Sequence, residues 1–284
     1  GKTIQPFGNA KLSTSVKKWG TASLALDGTG DYAFVQSTAD FAFGTGAWCV
    51  EAWVYNTSAP GTNQIIFDFR TADPQYVPTI YIDGATNHLH MSTNGTVVID
   101  TGYALTLNTW YHIAVAKSGT STKFFVNGTQ QGSTYTDNNT YVQGPLTLGS
   151  RFTATNGFNG YVDDVRISKG NARYTSNFTA PTGILANDSY TVLLSRFDGT
   201  NNATTFADET FLVQDVRSSS GGTAQFIELA DYSDFGAEIR SIGSACVYGN
   251  YGVYGDGAGV VAYLIGQNLA YIGVGKRNDN DVTY

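Results

Sequence analysis

The chain has 284 residues and a formal net charge of −7; 42% of its residues are hydrophobic and only 14% are charged. Disorder requires low hydrophobicity and high net charge, so this composition predicts a folded protein, and its acidic balance argues against a nucleic-acid partner. No stretch approaches the roughly 20 apolar residues of a membrane helix, so we expect no membrane insertion. Glycine and aromatic residues are abundant, with 33 Gly and 18 Tyr, which favours an all-β fold of short strands and tight turns.

The first part of the chain shows short strand patterns separated by glycine-containing turns. An Asp-Gly-Thr-Gly-Asp turn at residues 27–31 separates the first two, which is a hairpin signal. Asn127-Gly128 follows the last of them and suits a type I′ turn. No segment keeps a 3.6-residue apolar period, so helices should be few and short. The predicted strands are 23–26, 32–35, 48–55, 110–116 and 123–126.

Five motifs carry a resemblance to a known family: GTASLALDGTGDYAFV, VEAWVY, NTWYHIAVAKSGTSTKFFVNG, LTLGS and FNGYVDDVRIS. In this order they resemble the laminin-G-like, concanavalin-A-like lectin-glucanase domain, over about residues 20–168. The resemblance implies an antiparallel two-sheet jelly-roll sandwich. Such domains typically bind glycans or proteins, and many hold calcium. Residues 168–182 also resemble the tail that follows this sandwich in structural proteins of tailed phages.

We expect two parts in the chain, a sandwich over residues 1–208 and a Gly/Ala/Tyr-rich β assembly segment over residues 209–284. The second part is similar to C-terminal portions of phage fibre or appendage proteins. It ends in what reads as mid-strand, so we expect the native chain to continue. Glycine-rich strands pair with uncertain register and often depend on neighbouring subunits. We therefore predict a homo-oligomer, with a trimer favoured.

The order of the strands predicts a gap in the sandwich. The resembled domains usually begin with a strand that ends in an Asp-Gly turn, ahead of a Gly-Asn-Ala segment that lies here at residues 8–10. Only seven residues precede it, which leaves no room for that strand. Residues 190–199 carry the missing pattern, and we predict that they fill the slot, either in cis or donated to a neighbouring subunit. The alternative is that they lead into the C-terminal segment.

Three carboxylates form the candidate metal site. Alternation along residues 160–167 places Asp163 with Val165 and Ile167, and a buried carboxylate needs a cation or several donors. The neighbouring Asp164 and Arg166 are then expected to face solvent. The resemblance implies a calcium site that joins this last strand to the early Asp-Gly turn. The predicted ligands are Asp27, Asp31 and Asp163; for the two turn residues, a solvated turn is the alternative interpretation.

Aromatic residues are the candidate glycan contacts. Those outside the main strand motifs are preferred, because loop and rim aromatics remain accessible. These candidates are Tyr76, Tyr81 and Tyr103. The aromatic residues inside strand motifs, expected in the core, are Trp53, Trp110, Phe124 and Phe125.

Catalytic constellations are not evident in the sequence. Retaining glycosidases need two carboxylates about 5–5.5 Å apart, but Glu51 is a lone acid and the adjacent Asp163 and Asp164 should point to opposite faces. His112 is expected to be a hydrogen-bonded strand histidine. His88 and His90 share a strand face, but no third metal ligand is evident near them, so a surface position is preferred.

We therefore predict a non-enzymatic structural and adhesion protein of the virion, such as a tail fibre, appendage or capsid decoration subunit. Its lectin-like sandwich would bind a surface glycan or neighbouring virion subunits. The alternative is a secreted or cell-surface bacterial carbohydrate-binding module. Either function places the protein on a virion surface or in the extracellular space.

Overall fold

The computed structural model describes residues 1–210 and, beyond them, five strands between residues 226 and 274. Residues 1–210 form one compact unit and residues 211–284 a second. In the described residues, no helix has the length and hydropathy of a membrane span; the first unit contains a three-residue 3-10 helix, Ala39–Phe41. The strands of the first unit are β1 (Ile4–Phe7), β2 (Lys11–Ser13), β3 (Ser23–Asp27), β4 (Tyr32–Val35), β5 (Trp48–Asn56), β6 (Gln64–Asp68), β7 (Thr79–Ile82), β8 (His88–Thr93), β9 (Thr96–Ala104), β10 (Trp110–Ser118), β11 (Ser121–Val126), β12 (Thr129–Thr136), β13 (Leu146–Leu148), β14 (Asn159–Lys169) and β15 (Thr191–Ser195).

The first unit is a sandwich of two antiparallel sheets. The seven-stranded sheet has the order β1-β4-β13-β6-β7-β8-β9, and the eight-stranded sheet has the order β12-β11-β10-β5-β14-β3-β2, with β15 added to β14. Every strand pair in both sheets is antiparallel. The predicted all-β, two-sheet jelly-roll sandwich is confirmed.

Alternation along the strands builds the core between the sheets. On β5, Val50, Ala52 and Val54 belong to the main hydrophobic cluster, while the side chains between them point to the outer face of the eight-stranded sheet. On β7, Ile80 and Ile82 pack into the same cluster. The predicted strands at residues 23–26, 32–35, 48–55, 110–116 and 123–126 are confirmed as β3, β4, β5, β10 and β11.

The turn between β11 and β12 has the predicted two-residue form. Asn127 and Gly128 have φ of 49° and 80°, as a type I′ turn requires at both central positions. A Cβ at Gly128 would clash with the carbonyl oxygen of Phe178. Glycine is therefore required here both by the backbone conformation and by the close approach of another segment.

Two segments at the ends of the first unit complete its sheets. Residues 4–7 form β1, which pairs with β4 through Ile4 and Val35 at one end; this short strand lacks the Asp-Gly turn of the strand expected to be missing. Four residues are enough for this edge strand. Residues 191–195 form β15, which pairs within the same chain with β14, placing Leu193 opposite Ile167.

A bulge in β14 changes the side-chain alternation that the sequence predicts. Asp163 pairs with Trp53 and Arg166 with Glu51, so three steps on β14 oppose two on β5, as in a β-bulge. Consequently Val165 and Ile167 lie in the core while Asp163 does not. Asp164 and Arg166 are buried rather than exposed, because other segments cover this part of the outer face.

The second unit contains two small antiparallel sheets among its described strands. One has the order β16-β20-β19 and the other pairs β17 with β18. The assembly role predicted for residues 209–284 stays a prediction, and the predicted strand end at Tyr284 lies outside the described residues. The bounds are β16 (Phe226–Ala230), β17 (Ala245–Tyr248), β18 (Tyr251–Gly255), β19 (Val260–Leu264) and β20 (Leu269–Val274).

Candidate functional site

Three aromatic side chains form a cross-strand row on the outer face of the eight-stranded sheet. Trp110 on β10 lies opposite Tyr55 on β5, and Tyr55 lies opposite Tyr161 on β14. Their ring centroids are 5.3 Å and 5.8 Å apart. All three are only half-buried. We call Trp110, Tyr55 and Tyr161 the aromatic row.

The row leads into a pocket at its β14 end. Tyr161 lies opposite Ala25 on β3, and Ala25 lies opposite Lys11 on β2. The small Ala25 side chain leaves space between its two larger neighbours. The resulting β14–β3 pocket has a volume of about 600 Å³ and is lined by these residues together with Asp27, Asp31, Thr57 and Asn159, among others.

The pocket contains both positively and negatively charged side chains, and hydrogen bonds orient some of its polar groups. The Thr57 hydroxyl donates to Asn159 Oδ1 at 2.8 Å, which orients the Asn159 amide. Asp27 Oδ1 accepts from the Thr29 N–H at 2.7 Å, while Asp27 and Lys11 remain exposed to solvent. A concave site with aromatic surface and a few oriented polar groups is suited to a small polar ligand with an apolar face.

Two segments cover other parts of this outer face but leave the aromatic row accessible. Lys18 Nζ lies 4.0 Å from the centre of the Trp53 ring, and Trp19 packs edge-on against Trp53 at 6.2 Å. Beyond His112, the stacked rings of Tyr174 and Phe178 pack over the sheet. The row at Tyr55 lies one step beyond Trp53 on β5 and is left half-exposed.

The structure brings together two of the three predicted calcium ligands. Asp31 is buried, and its two carboxylate oxygens accept the backbone N–H groups of Asn9 and Asp27. Asp163 is four residues beyond Asn159, the β14 partner of Asp27, which puts it roughly 13 Å farther along the strand. The three carboxylates therefore do not fit one calcium ion.

Asp163 has a different environment from the predicted one. Its Oδ2 accepts the backbone N–H groups of Lys18 and Trp19 at 2.7 Å and 3.1 Å, whereas Oδ1 has no hydrogen-bond partner in the described part of the chain. Burial raises the pKa of Asp163 to about 7, against the effect of those two donors. Burial also raises the pKa of Asp164 to about 6. Two backbone donors thus bind one oxygen of the carboxylate that the sequence assigned to a cation.

The three predicted glycan-contacting tyrosines lie elsewhere. Tyr76 is in the loop between β6 and β7 and is 44% exposed. Tyr81 on β7 is buried and packs edge-on against His90 at 5.4 Å. Tyr103 on β9 packs edge-on against Tyr111 at 5.9 Å. None of the three lines the β14–β3 pocket.

Glu51, the isolated acid that was considered as a catalytic candidate, is buried in the protein. It is fully buried, accepts from Arg166 Nε at 2.8 Å and from the Tyr174 hydroxyl at 2.8 Å, and lies 3.1 Å from His112 Nε2. Burial opposes its ionisation, but the His112 hydrogen bond and the Arg166 charge outweigh burial and lower the pKa of Glu51. His112 is a hydrogen-bonded strand histidine, as predicted.

The sequence misassigned one aromatic residue that matters at this site. Trp53, Phe124 and Phe125 are buried as predicted, but Trp110 is half-exposed at the start of β10. Its place beside Tyr55 depends on the β5–β10 register, which a single sequence does not contain. One signal was available in the sequence. Tyr55 ends the predicted strand 48–55 and Trp110 begins the predicted strand 110–116, and these two positions lie side by side if the strands are antiparallel neighbours.

Several solved structures are similar to parts of this chain at low identity. A Bacteroides ovatus protein assigned to carbohydrate binding is 18% identical with a TM-score of 0.48, covering 73% of this chain and 56% of its own. Domain 4 of AbnA, a GH43 extracellular arabinanase from Geobacillus stearothermophilus solved with arabinotriose, is 17% identical with a TM-score of 0.45, covering 59% of this chain and 82% of its own. Mouse laminin α1 domains LG4-5 are 13% identical with a TM-score of 0.38, covering 55% of this chain and 46% of their own.

The chain thus spans little more than half of the Bacteroides protein's length. No curated protein matches the chain. The sequence model of the concanavalin A-like lectin/glucanases superfamily, of the laminin-G type, matches residues 27–173. This match covers more than half of the chain and runs from the end of β3 past β14. The chain therefore belongs to the concanavalin A-like lectin/glucanases superfamily.

Proposed function

We propose that this protein binds glycans without hydrolysing them, through the aromatic row and the β14–β3 pocket. The observation that carries the proposal is the half-exposed alignment of Trp110, Tyr55 and Tyr161 next to an oriented Asn159 amide. Sugar rings present an apolar C–H face and polar edges. Aromatic surface can pack against that face, and amide or carboxylate groups can bond the hydroxyls.

The site favours an uncharged oligosaccharide over an acidic one. The row crosses three strands, so it extends over two interstrand steps, or roughly 10 Å, which is long enough for more than one sugar ring. The pocket contains both Asp27 and Lys11, and the whole chain carries a net charge of −7. An acidic sugar would therefore meet an unfavourable average field.

The placement of the buried acids supports binding without turnover. Glu51 is fully buried and bonded to Arg166 and Tyr174. Asp68, another isolated acid of the sequence, is also fully buried and pairs with Arg70 at 2.8 Å. Neither carboxylate lines the β14–β3 pocket, so neither can protonate or attack a glycosidic bond of a ligand bound there. Of the two acids that do line it, Asp31 has both oxygens occupied by the backbone N–H groups of Asn9 and Asp27, and Asp27 Oδ1 accepts the Thr29 N–H.

The proposed biological setting is the surface of a tailed-phage virion, where the protein would be an oligomeric fibre, appendage or decoration subunit. The resemblance of residues 168–182 and of the C-terminal segment supports this setting. The alternative is a bacterial carbohydrate-binding module that is secreted or displayed on the cell. Native mass spectrometry separates the two, because the first predicts a stable oligomer, with a trimer favoured, and the second a monomer.

The proposal is tested by screening the full chain on an array of neutral and acidic glycans. We expect retention of neutral oligosaccharides. The strongest hit is then incubated with the protein, and new reducing ends are measured over a day. Binding with no release of reducing ends supports the proposal. Either no binding to any glycan or steady release would contradict it.

A further inference from the structure

A second cluster of functional groups lies on the other sheet. His90 on β8 lies opposite Asp100 on β9, and His88 is two residues before His90 on the same strand. His88 Nδ1 is 3.0 Å from Asp100 Oδ1, and His90 Nε2 is 3.2 Å from the same oxygen. One ligand atom from each residue lies within 4.8 Å of the other two.

His90 is the member of the cluster whose buried ring nitrogens make no hydrogen bond. Its side chain is only 8% exposed; Nε2 lies 3.2 Å from Asp100 Oδ1 without forming a hydrogen bond, and Nδ1 has no partner among the described residues. The ring of Tyr81 packs edge-on against it and supplies no hydrogen bond. A buried polar group without a partner is costly, so the position of His90 calls for a ligand.

We propose that His88, His90 and Asp100 bind one divalent transition-metal ion of the zinc type. Two imidazoles and one carboxylate are a common protein donor set for zinc, and imidazole suits zinc, copper and nickel better than calcium. Ligand atoms at zinc bond lengths of about 2.0–2.1 Å are roughly 3.3 Å apart in a tetrahedron. The two nitrogen–oxygen distances of 3.0 Å and 3.2 Å match that spacing.

The surroundings of Asp100 suit a metal ligand. Its Oδ1 accepts the Gly102 N–H at 2.8 Å and lies 3.0 Å and 3.2 Å from one ring nitrogen of each histidine. Its side chain is 50% exposed. The remaining coordination position therefore faces solvent and can take water or an oxygen ligand from outside the protein.

The site is tested by calorimetric titration of zinc chloride into the full chain after treatment with chelator and dialysis. We expect one ion per chain with a dissociation constant of about 10 μM or tighter, near −7 kcal/mol. Asp100→Asn and His90→Gln should each weaken binding at least tenfold. Asp83→Asn is the matched control, since it removes a half-buried acid nearby that is outside the donor set, and it should bind like the wild type.

Proton NMR supplies a second readout that does not depend on variant stability. The chain has three histidines, so its imidazole signals are few. Zinc should shift the signals of His88 and His90 and leave those of His112, which is bonded to Glu51, unchanged. The proposal is overturned by the absence of saturable binding, or by Asp100→Asn and His90→Gln titrating like the wild type.

Discussion

Arg166 Nε lies 2.8 Å from Glu51 Oε1, and the two residues are opposite one another on adjacent strands at the edge of a β-bulge. Glu51 is fully buried and Arg166 is 7% exposed. An ion pair in this position needs every partner, because a buried charge that loses its counter-charge is strongly unfavourable. Glu51 is therefore a structural residue of the sandwich.

Replacing Glu51 with Gln is predicted to destabilise the protein by about 3–5 kcal/mol, because the Arg166 charge would remain buried without its counter-charge. Urea denaturation measures the change in the free energy of unfolding. Asp40→Asn is the matched control: it breaks the Lys2–Asp40 ion pair, whose Asp40 side chain is 48% exposed, and should cost at most about 1 kcal/mol. Equal, small effects of both variants would contradict the structural role of Glu51.

Stability is predicted to fall as the pH rises from about 4 to 8. The folded-state pKa of Asp163 is raised to about 7 from an ordinary value of 3.8, so its contribution to stability is full below the ordinary value and is lost as pH rises through the folded value. The shift corresponds to on the order of 4 kcal/mol. Asp164, with a pKa of about 6, acts in the same direction.

The Asp163→Asn variant isolates this effect. Asparagine is neutral at every pH, so the decline of the unfolding free energy between pH 5 and pH 8 should be smaller in the variant than in the wild type. Urea denaturation at the two pH values measures both slopes. Parallel slopes would show that Asp163 is not the group responsible.

The sequence predicted the sandwich well because its strand pattern is local. Alternation and the Asn127-Gly128 turn are visible within a few residues, and the corresponding strands are confirmed. The bulge after Asp163 depends on how β14 pairs with β5, so the predicted face of Asp163 was wrong. Arg166 lies on the predicted outer face but is buried there. Features that depend on register between distant strands are absent from a single sequence.

The candidate site was predicted less well for the same reason. Asp27 and Asp31 belong to one turn, and both line the pocket. The aromatic row requires β10, β5 and β14 to align, so Trp110 was assigned to the core. Asp100 likewise meets His90 only through the pairing of β8 with β9. The residue pattern within one strand therefore predicts neither the aromatic row nor the contact between His90 and Asp100.

The strand β15 is predicted to stabilise the sandwich through its core-facing leucine. Leu193 is 1% exposed and belongs to the main hydrophobic cluster, so Leu193→Ala should cost about 2–5 kcal/mol in unfolding free energy. Ile184→Ala is the matched control, since Ile184 is 54% exposed and its loss should stay within about 0.5 kcal/mol. Thermal and urea unfolding measure both. A wild-type stability for Leu193→Ala would mean that β15 does not complete the core.

Calcium is predicted to leave the melting temperature unchanged. An ion that bound only the folded protein would stabilise it by about 2.7 kcal/mol at a hundredfold excess over its dissociation constant, but Asp163 is too far from the Asp27 turn to share an ion with it. Differential scanning calorimetry of the chelator-treated protein with and without millimolar calcium measures the shift. A clear increase that Asp27→Asn abolishes would restore a calcium site at the turn.

Glycan binding at the aromatic row is measured by calorimetric titration of one array-selected neutral oligosaccharide into three variants. Trp110→Ala and Tyr161→Ala should each weaken binding by about 2 kcal/mol, or roughly 30-fold, as is typical of aromatic anchors, while each variant still unfolds cooperatively. Tyr76→Ala removes an exposed tyrosine outside the pocket and should bind like the wild type. Full affinity in both row variants, or a loss in Tyr76→Ala alone, would contradict the account.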